Sequence, residues 1–213
     1  MRADPSDSAT SAFAGLPAAA GRGRGVIASE REGLGIARIA ARRAQAPGLT
    51  ELFEFHFGLE PPNAPRRAGR GDVAIAGIGP DTWIATRENA GHDFAQSLQS
   101  LLGHSASVVD QSDAYVMLRL AGPRVREAMA KLVPIDVHER SFRVGDVAQT
   151  VCGYINLMLW RLEDTAQSDP AFELWAARSL AVSLYQAICH SAAEFGFVRE
   201  PTVSPASTGR QTA

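Results

Sequence analysis

The sequence predicts a single α+β domain with mixed or antiparallel sheets packed against helices. Its 213 residues suit one core of ordinary size. Short apolar runs bounded by Gly, Pro and Asp alternate with segments whose apolar residues recur every three or four positions. One run, residues 151–162, is apolar on both faces of a strand and therefore needs cover from two sides. Residues 1–22 are expected as a disordered tail, 23–198 as the domain and 199–213 as a flexible tail. Both ends are small, polar and rich in Pro or Gly, with too little apolar surface to offset ordering.

Along the domain, residues 26–29 and 36–41 read as strands joined by a charged, glycine-bearing turn, which predicts a hairpin. Pro47-Gly48 opens a helix with Leu49, Leu52, Phe53, His56 and Phe57 on one face, and Gly58 stops it. Residues 73–78 and 83–86 form a second hairpin around Gly79-Pro80-Asp81. Asn89 is expected to cap the next helix, which buries Phe94, Leu98, Leu101 and Leu102 and ends at Gly103. Strands follow at 107–109 and 115–120, with Val116, Leu118 and Leu120 pointing inward. Gly122-Pro123 then leads into a helix buried through Val125, Ala128, Met129 and Leu132. Residues 151–162 are expected as one strand, either central in a sheet or covered by another subunit. A strand at 172–176 and a long helix at 179–195 close the domain.

A net charge of -2 argues against nucleic acid and acidic membranes as partners, although the first third is rich in arginine. Lys131 is the only lysine and lies in a helical pattern, which excludes a P-loop. Cys152 and Cys189 sit in apolar stretches and read as free thiols of a reducing compartment. With no signal pattern at the start and no apolar run of about 18 residues, a cytoplasmic protein is expected.

Three places invite a search for chemistry. Asp136, His138 and Glu139 stand close together, but an i, i+2 pair without a second ligand pair predicts a solvated loop. Asp110 and Ser112 lack a G-x-S-x-G elbow and a suitable histidine, so a side chain bonded to its own turn is expected. Gly21-Arg22-Gly23-Arg24-Gly25 has neither the preceding strand nor the following helix of a nucleotide loop, nor aromatics for stacking on bases. Trp83, Trp160 and Trp175 fall in strands, where burial is the ordinary outcome. No catalytic, cofactor-binding or metal-ligating residue is expected in this chain.

The order of several short motifs resembles the gamma subunit of heterotetrameric sarcosine oxidase, within the wider group similar to the folate-binding domain of aminomethyltransferase. The motifs are Gly79-Pro80-Asp81-Thr82-Trp83, Asp110-Gln111-Ser112 and Leu118-Arg119-Leu120-Ala121-Gly122-Pro123. Further on stand Pro134-Ile135-Asp136-Val137-His138, Phe142, Gly145, Gln149-Thr150, Phe172-Glu173-Leu174 and Arg178-Ser179. The resemblance runs over most of residues 25–197 and implies an aminomethyltransferase-like fold. It further implies a non-catalytic subunit with alpha, beta and delta partners, in a complex that oxidatively demethylates sarcosine to glycine. Such a complex reduces oxygen to hydrogen peroxide and passes the one-carbon unit to tetrahydrofolate. FMN, FAD or NAD, and zinc are implied for the other subunits. A folate-binding domain acting on its own, anchored by Asp110 or Asp136, is the alternative.

Overall fold

The computed structural model describes residues 11–43 and 45–200. Strands β1 (Ala19–Ala20), β2 (Val26–Glu30) and β3 (Gly35–Ala41) precede helix α1 (Ala46–Phe57). Then come β4 (Arg67–Arg70), β5 (Val73–Gly79), β6 (Thr82–Arg87), α2 (Asp93–Leu102), β7 (Ala106–Asp110), β8 (Tyr115–Ala121) and α3 (Val125–Leu132). Strands β9 (Val147–Cys152), β10 (Ile155–Arg161) and β11 (Ala171–Ala177), helix α4 (Ala181–Ala192) and strand β12 (Phe197–Glu200) complete the chain.

The strands form two sheets, ordered β1-β12-β2-β8-β11-β10-β9 and β4-β5-β6-β3-β7. All pairings are antiparallel except β12 with β2, so the larger sheet is mixed. Helices α3 and α4 cover one face of the seven-stranded sheet through Met129, Leu184 and Ile188, against Leu118, Leu159 and Leu174. The smaller sheet packs on the opposite face, where Ile36, Ile84, Met117, Met158, Trp160 and Trp175 meet. Helices α1 and α2 close its far side with Leu49, Phe53, Phe94 and Leu98 against Ile39, Ile75 and Trp83. The layers thus run helix, sheet, sheet, helix, and period-2 alternation sends successive residues of a central strand into different cores.

This arrangement corrects several expectations. Strands β2 and β3 do not form a hairpin: β2 lies between β12 and β8, and β3 between β6 and β7. A strand has two edges, and in each case both are taken. The 151–162 run is a hairpin, not one strand, because Gly153 takes a left-handed φ of 60° and the chain reverses at Gly153-Tyr154. Its two apolar faces are covered within this chain, by the helices on one side and the smaller sheet on the other. Asn89 is no helix cap; it sits at φ 52° in the turn after β6, and α2 starts from His92.

The expected N-terminal tail is partly ordered. Phe13 is fully buried against Tyr185, with ring centroids 5.4 Å apart, and β1 pairs with β12. Glu30 accepts hydrogen bonds from the Ser11 hydroxyl and the Ala12 N–H, while Arg199 donates to the Phe13 carbonyl at 2.5 Å. One aromatic in an otherwise small, polar segment supplies the burial that composition alone hides. At the other end Arg199 and Glu200 belong to β12, and residues 1–10 and 201–213 lie outside the described residues. The hairpin β5–β6, the Gly58 stop of α1 and the entry to α3 stand where the sequence put them. Among the described residues no helix is long and apolar enough to cross a membrane.

Candidate functional site

Strand β7 ends the smaller sheet and β8 begins in the larger one, so residues 110–113 carry the chain from one to the other. The turn is held by its own side chains. Asp110 Oδ1 accepts the Ser112 N–H at 2.9 Å and its hydroxyl at 2.6 Å. The Ser112 oxygen in turn accepts the Ile36 N–H of β3 at 3.0 Å, and the Gln111 N–H reaches the Ile36 carbonyl at 2.8 Å. Arg178 adds a bond from Nε to the Asp113 carbonyl at 3.3 Å.

A histidine also arrives here, contrary to the sequence expectation. His92, placed by the turn before α2, lies with Nδ1 3.0 Å from Asp110 Oδ2 and Nε2 3.5 Å from Asp113 Oδ2. Ser, Asp and His are therefore neighbours, but not in the order nucleophilic catalysis uses. The imidazole bridges two carboxylates, and the Ser112 hydroxyl gives its proton to Asp110 and not to the imidazole. The hydrogen bond to Asp110 and the charge of Asp113 raise the His92 pKa above its ordinary value. Partial burial works to raise the Asp110 pKa, but the bonds from Ser112 and His92 outweigh it and hold this carboxyl below its usual range. The cluster is a charged staple across the crossover.

A second charged group lies in the layer between the sheets, and sequence reasoning missed it. Glu173 of β11 is buried, with Oε1 3.4 Å from Arg119 Nη2 on β8 and 3.4 Å from Arg31 Nε. Arg31 also pairs with Glu88. Arg67 of β4 stands over the Trp160 ring, 5.7 Å from its centroid. Burial lowers the Arg67 pKa; Glu173 opposes that effect, and Arg119 and Arg31 add to it. The available signal was a charge breaking an apolar alternation, in Leu118-Arg119-Leu120 and Phe172-Glu173-Leu174, with Glu173 and Arg119 opposite each other in register. The buried carboxylate thus links β11 to β8 and to the residue that follows β2.

The remaining candidates are engaged within the fold. Asp136 Oδ1 accepts the His138 N–H at 2.9 Å and its Oδ2 accepts the Ser141 hydroxyl at 2.6 Å, in an exposed loop after α3. The bonds from Ser141 and His138 lower the Asp136 pKa. The carboxylates of Asp110 and Asp136 are both engaged by their own loops, and Asp136 lies on the helix-covered side, apart from Asp110. Neither is placed as a free anchor for a folate. Within the Gly21–Gly25 run the glycines serve close packing: a Cβ on Gly21 would overlap the Ala193 carbonyl, and one on Gly25 the carbonyl of Phe195. Cys152 and Cys189 are free, and burial pushes both thiol pKa values up. Among the described residues no three His, Cys, Asp or Glu side chains are grouped to hold a metal.

Residues 68–200 match the sequence profile of the GCVT N-terminal domain, which is more than half of the chain. The chain belongs to that family. Three curated relatives are named sarcosine oxidase subunit gamma. The one from Arthrobacter sp is 30% identical over 89 residues, 42% of this chain and 44% of the relative. The one from Corynebacterium sp. strain U-96 is 34% identical over 96 residues, 43% and 46% of the respective lengths. An aminomethyltransferase from Herpetosiphon aurantiacus is 32% identical over 98 residues, 44% of this chain and 27% of that protein. Each of these matches spans less than half the length of the relative.

In structure, this GCVT N-terminal domain superposes on a chain of the heterotetrameric sarcosine oxidase from Corynebacterium sp. U-96 with a TM-score of 0.68 and 22% identity. That superposition covers 83% of this chain and 88% of the other. It also matches the glycine cleavage system aminomethyltransferase of Bartonella henselae, with a TM-score of 0.60, 10% identity, and coverage of 83% and 47%. The fold is therefore the aminomethyltransferase-like, folate-binding-domain fold.

Proposed function

We propose that this chain is a non-catalytic, structural subunit of the gamma type in a heterotetrameric sarcosine oxidase, with alpha, beta and delta chains as partners. The reading is carried by the gamma-subunit relatives, at 30% and 34% identity. The site geometry supports it: of the polar side chains that could do chemistry, Asp110 binds Ser112 and His92, and Glu173 binds Arg31 and Arg119, so they bridge elements of the fold. On this reading FMN, FAD or NAD, and zinc sit on the other subunits. The assembled complex demethylates sarcosine to glycine in the cytoplasm, forms hydrogen peroxide and delivers the one-carbon unit to tetrahydrofolate. The part played by this chain is to present surfaces, and its activity exists only in company.

The test is co-expression with the alpha, beta and delta subunits of the same genome. The chain is expected to co-purify in a defined complex that forms hydrogen peroxide from sarcosine, while the isolated chain forms none. Titration of the isolated chain with tetrahydrofolate in a calorimeter is expected to give no heat of binding. Micromolar binding there, with no complex formed on co-expression, would replace this reading with a folate-binding domain acting on its own.

A further inference from the structure

The apolar layer between the sheets opens at one end into a cleft of about 360 Å³ floored by Leu157, Met158 and Trp175. Past Ile78, Ile84, Tyr115 and Gln149 it continues into an opening of about 500 Å³. Gln111, Thr150 and Asn156 give it a polar rim, and no Asp or Glu lines either part. Arg38 stands exposed at the mouth and makes no ion pair among the described residues.

One wall of this cleft is β9, the edge of the larger sheet. Its Val147 N–H turns outward to the Pro65 carbonyl at 2.9 Å, so strand alternation turns the N–H and C=O groups of Gln149 and Val151 outward too. Among the described residues these groups have no backbone partner. The β7 edge of the smaller sheet, by contrast, is closed: Gln99 of α2 accepts the Val108 N–H at 3.1 Å and reaches the Ala106 carbonyl at 3.5 Å. Residues 65–67 cover β9 as far as Val147 and the Gln149 side-chain amide donates to the Ile78 carbonyl of β5 at 2.6 Å, but no side chain caps the backbone groups of Gln149 and Val151 among the described residues, and no Pro, Lys or bulge lies in the strand. Apolar side chains gather beside the same opening: Tyr154 at the hairpin tip is 105% exposed, Val109 50% and Val151 37%.

We propose that this edge and cleft receive an extended, acidic segment of a partner polypeptide. The segment adds to β9 as a further strand, lays an apolar side chain between the sheets and sets a carboxylate against Arg38. The proposal rests on the subunit reading above. Charge selects the occupant, because a second copy of this chain pairing β9 to β9 would bring two acid-free rims and two Arg38 side chains together. The free backbone groups call for a strand, which a small molecule does not supply.

The test compares wild type, Val151→Pro and Arg38→Glu in co-expression with the other sarcosine oxidase subunits, with Val182→Ala, at an exposed side chain of α4, as control. Proline at 151 removes an outward N–H that the fold does not use. Each of the two variants is expected to lower the recovered complex by about tenfold, with the isolated chain's melting temperature near wild type. In the wild-type complex the Gln149 and Val151 amides are expected to exchange at least about tenfold more slowly than in the free chain. Wild-type assembly by both variants, or unchanged exchange at those amides, overturns the proposal while leaving the subunit reading intact. A free chain that is a dimer broken by Val151→Pro also overturns it, in favour of a second copy. Failure of the wild-type chain to assemble removes the subunit reading and the proposal together. Should Val151→Pro not fold, Arg38→Glu and the exchange measurement decide.

Discussion

Replacing Phe13 by alanine tests whether residues 11–20 belong to the folded domain. The ring is fully buried and tilted against Tyr185, with centroids 5.4 Å apart. Complete burial of a phenylalanine contributes about 1.5–3 kcal/mol, and the aromatic pair adds about 1 kcal/mol. A cavity would raise the cost, but this segment lies at the margin of the domain and can settle inward. That places the total near the lower end of the usual range for such truncations, about 3 kcal/mol. With a urea m-value of about 2 kcal/mol/M, the unfolding midpoint should fall by about 1.5 M at unchanged slope. In a thermal scan the same loss lowers the melting temperature by about 6–12 °C. Phe55→Ala, at a side chain 84% exposed, is the control and should stay within about 0.5 kcal/mol. A midpoint for Phe13→Ala within about 0.3 M of wild type would refute the packing of this segment.

Glu173→Leu should destabilise by about 2 kcal/mol, less than for a fully enclosed pair because Arg119 is partly solvated; Glu173→Leu with Arg119→Leu should recover part of the loss, as thermal melts would report. His92 makes stability depend on pH. Its folded pKa is raised above the ordinary 6.5, so its contribution is complete below about pH 6.5 and is lost as pH rises through the folded value. Urea midpoints between about pH 6 and 8 should fall in wild type and be flatter in His92→Asn; equal slopes would discard the staple. Asp110, whose pKa is lowered, loses its share only as pH falls below the ordinary 3.8, outside that window. Gly25→Ala should cost more than about 2 kcal/mol, since its Cβ would overlap the Phe195 carbonyl, whereas Gly71→Ala, at φ 60° with open space around it, should cost about 1 kcal/mol. Equal costs at the two positions in denaturant titrations would mean that residues 21–25 do not pack on the end of the last helix.

Period and punctuation determined much by themselves. The three-and-four spacing around Leu49 and Phe53 with Gly58 behind it, the Gly79-Pro80-Asp81 reversal and the Gly122-Pro123 entry are local signals, and each stands where it was read. The bonding of Asp110 and Ser112 within their own turn was legible for the same reason, because an Asx-type contact needs only neighbours in the chain. Tertiary structure decided what depends on distant partners. Strands β2 and β3, adjacent in sequence, went to different sheets because partners far along the chain occupied both edges of each. His92 came to Asp110 when α2 packed beside β7, and Arg31 to Glu173 when β2, β8 and β11 became neighbours in the larger sheet, and no spacing in the sequence encodes either meeting. The two-faced run at 151–162 shows the division most clearly. Its apolar faces declared that cover was needed on both sides, and the left-handed backbone at Gly153 together with the second sheet settled that this chain supplies it.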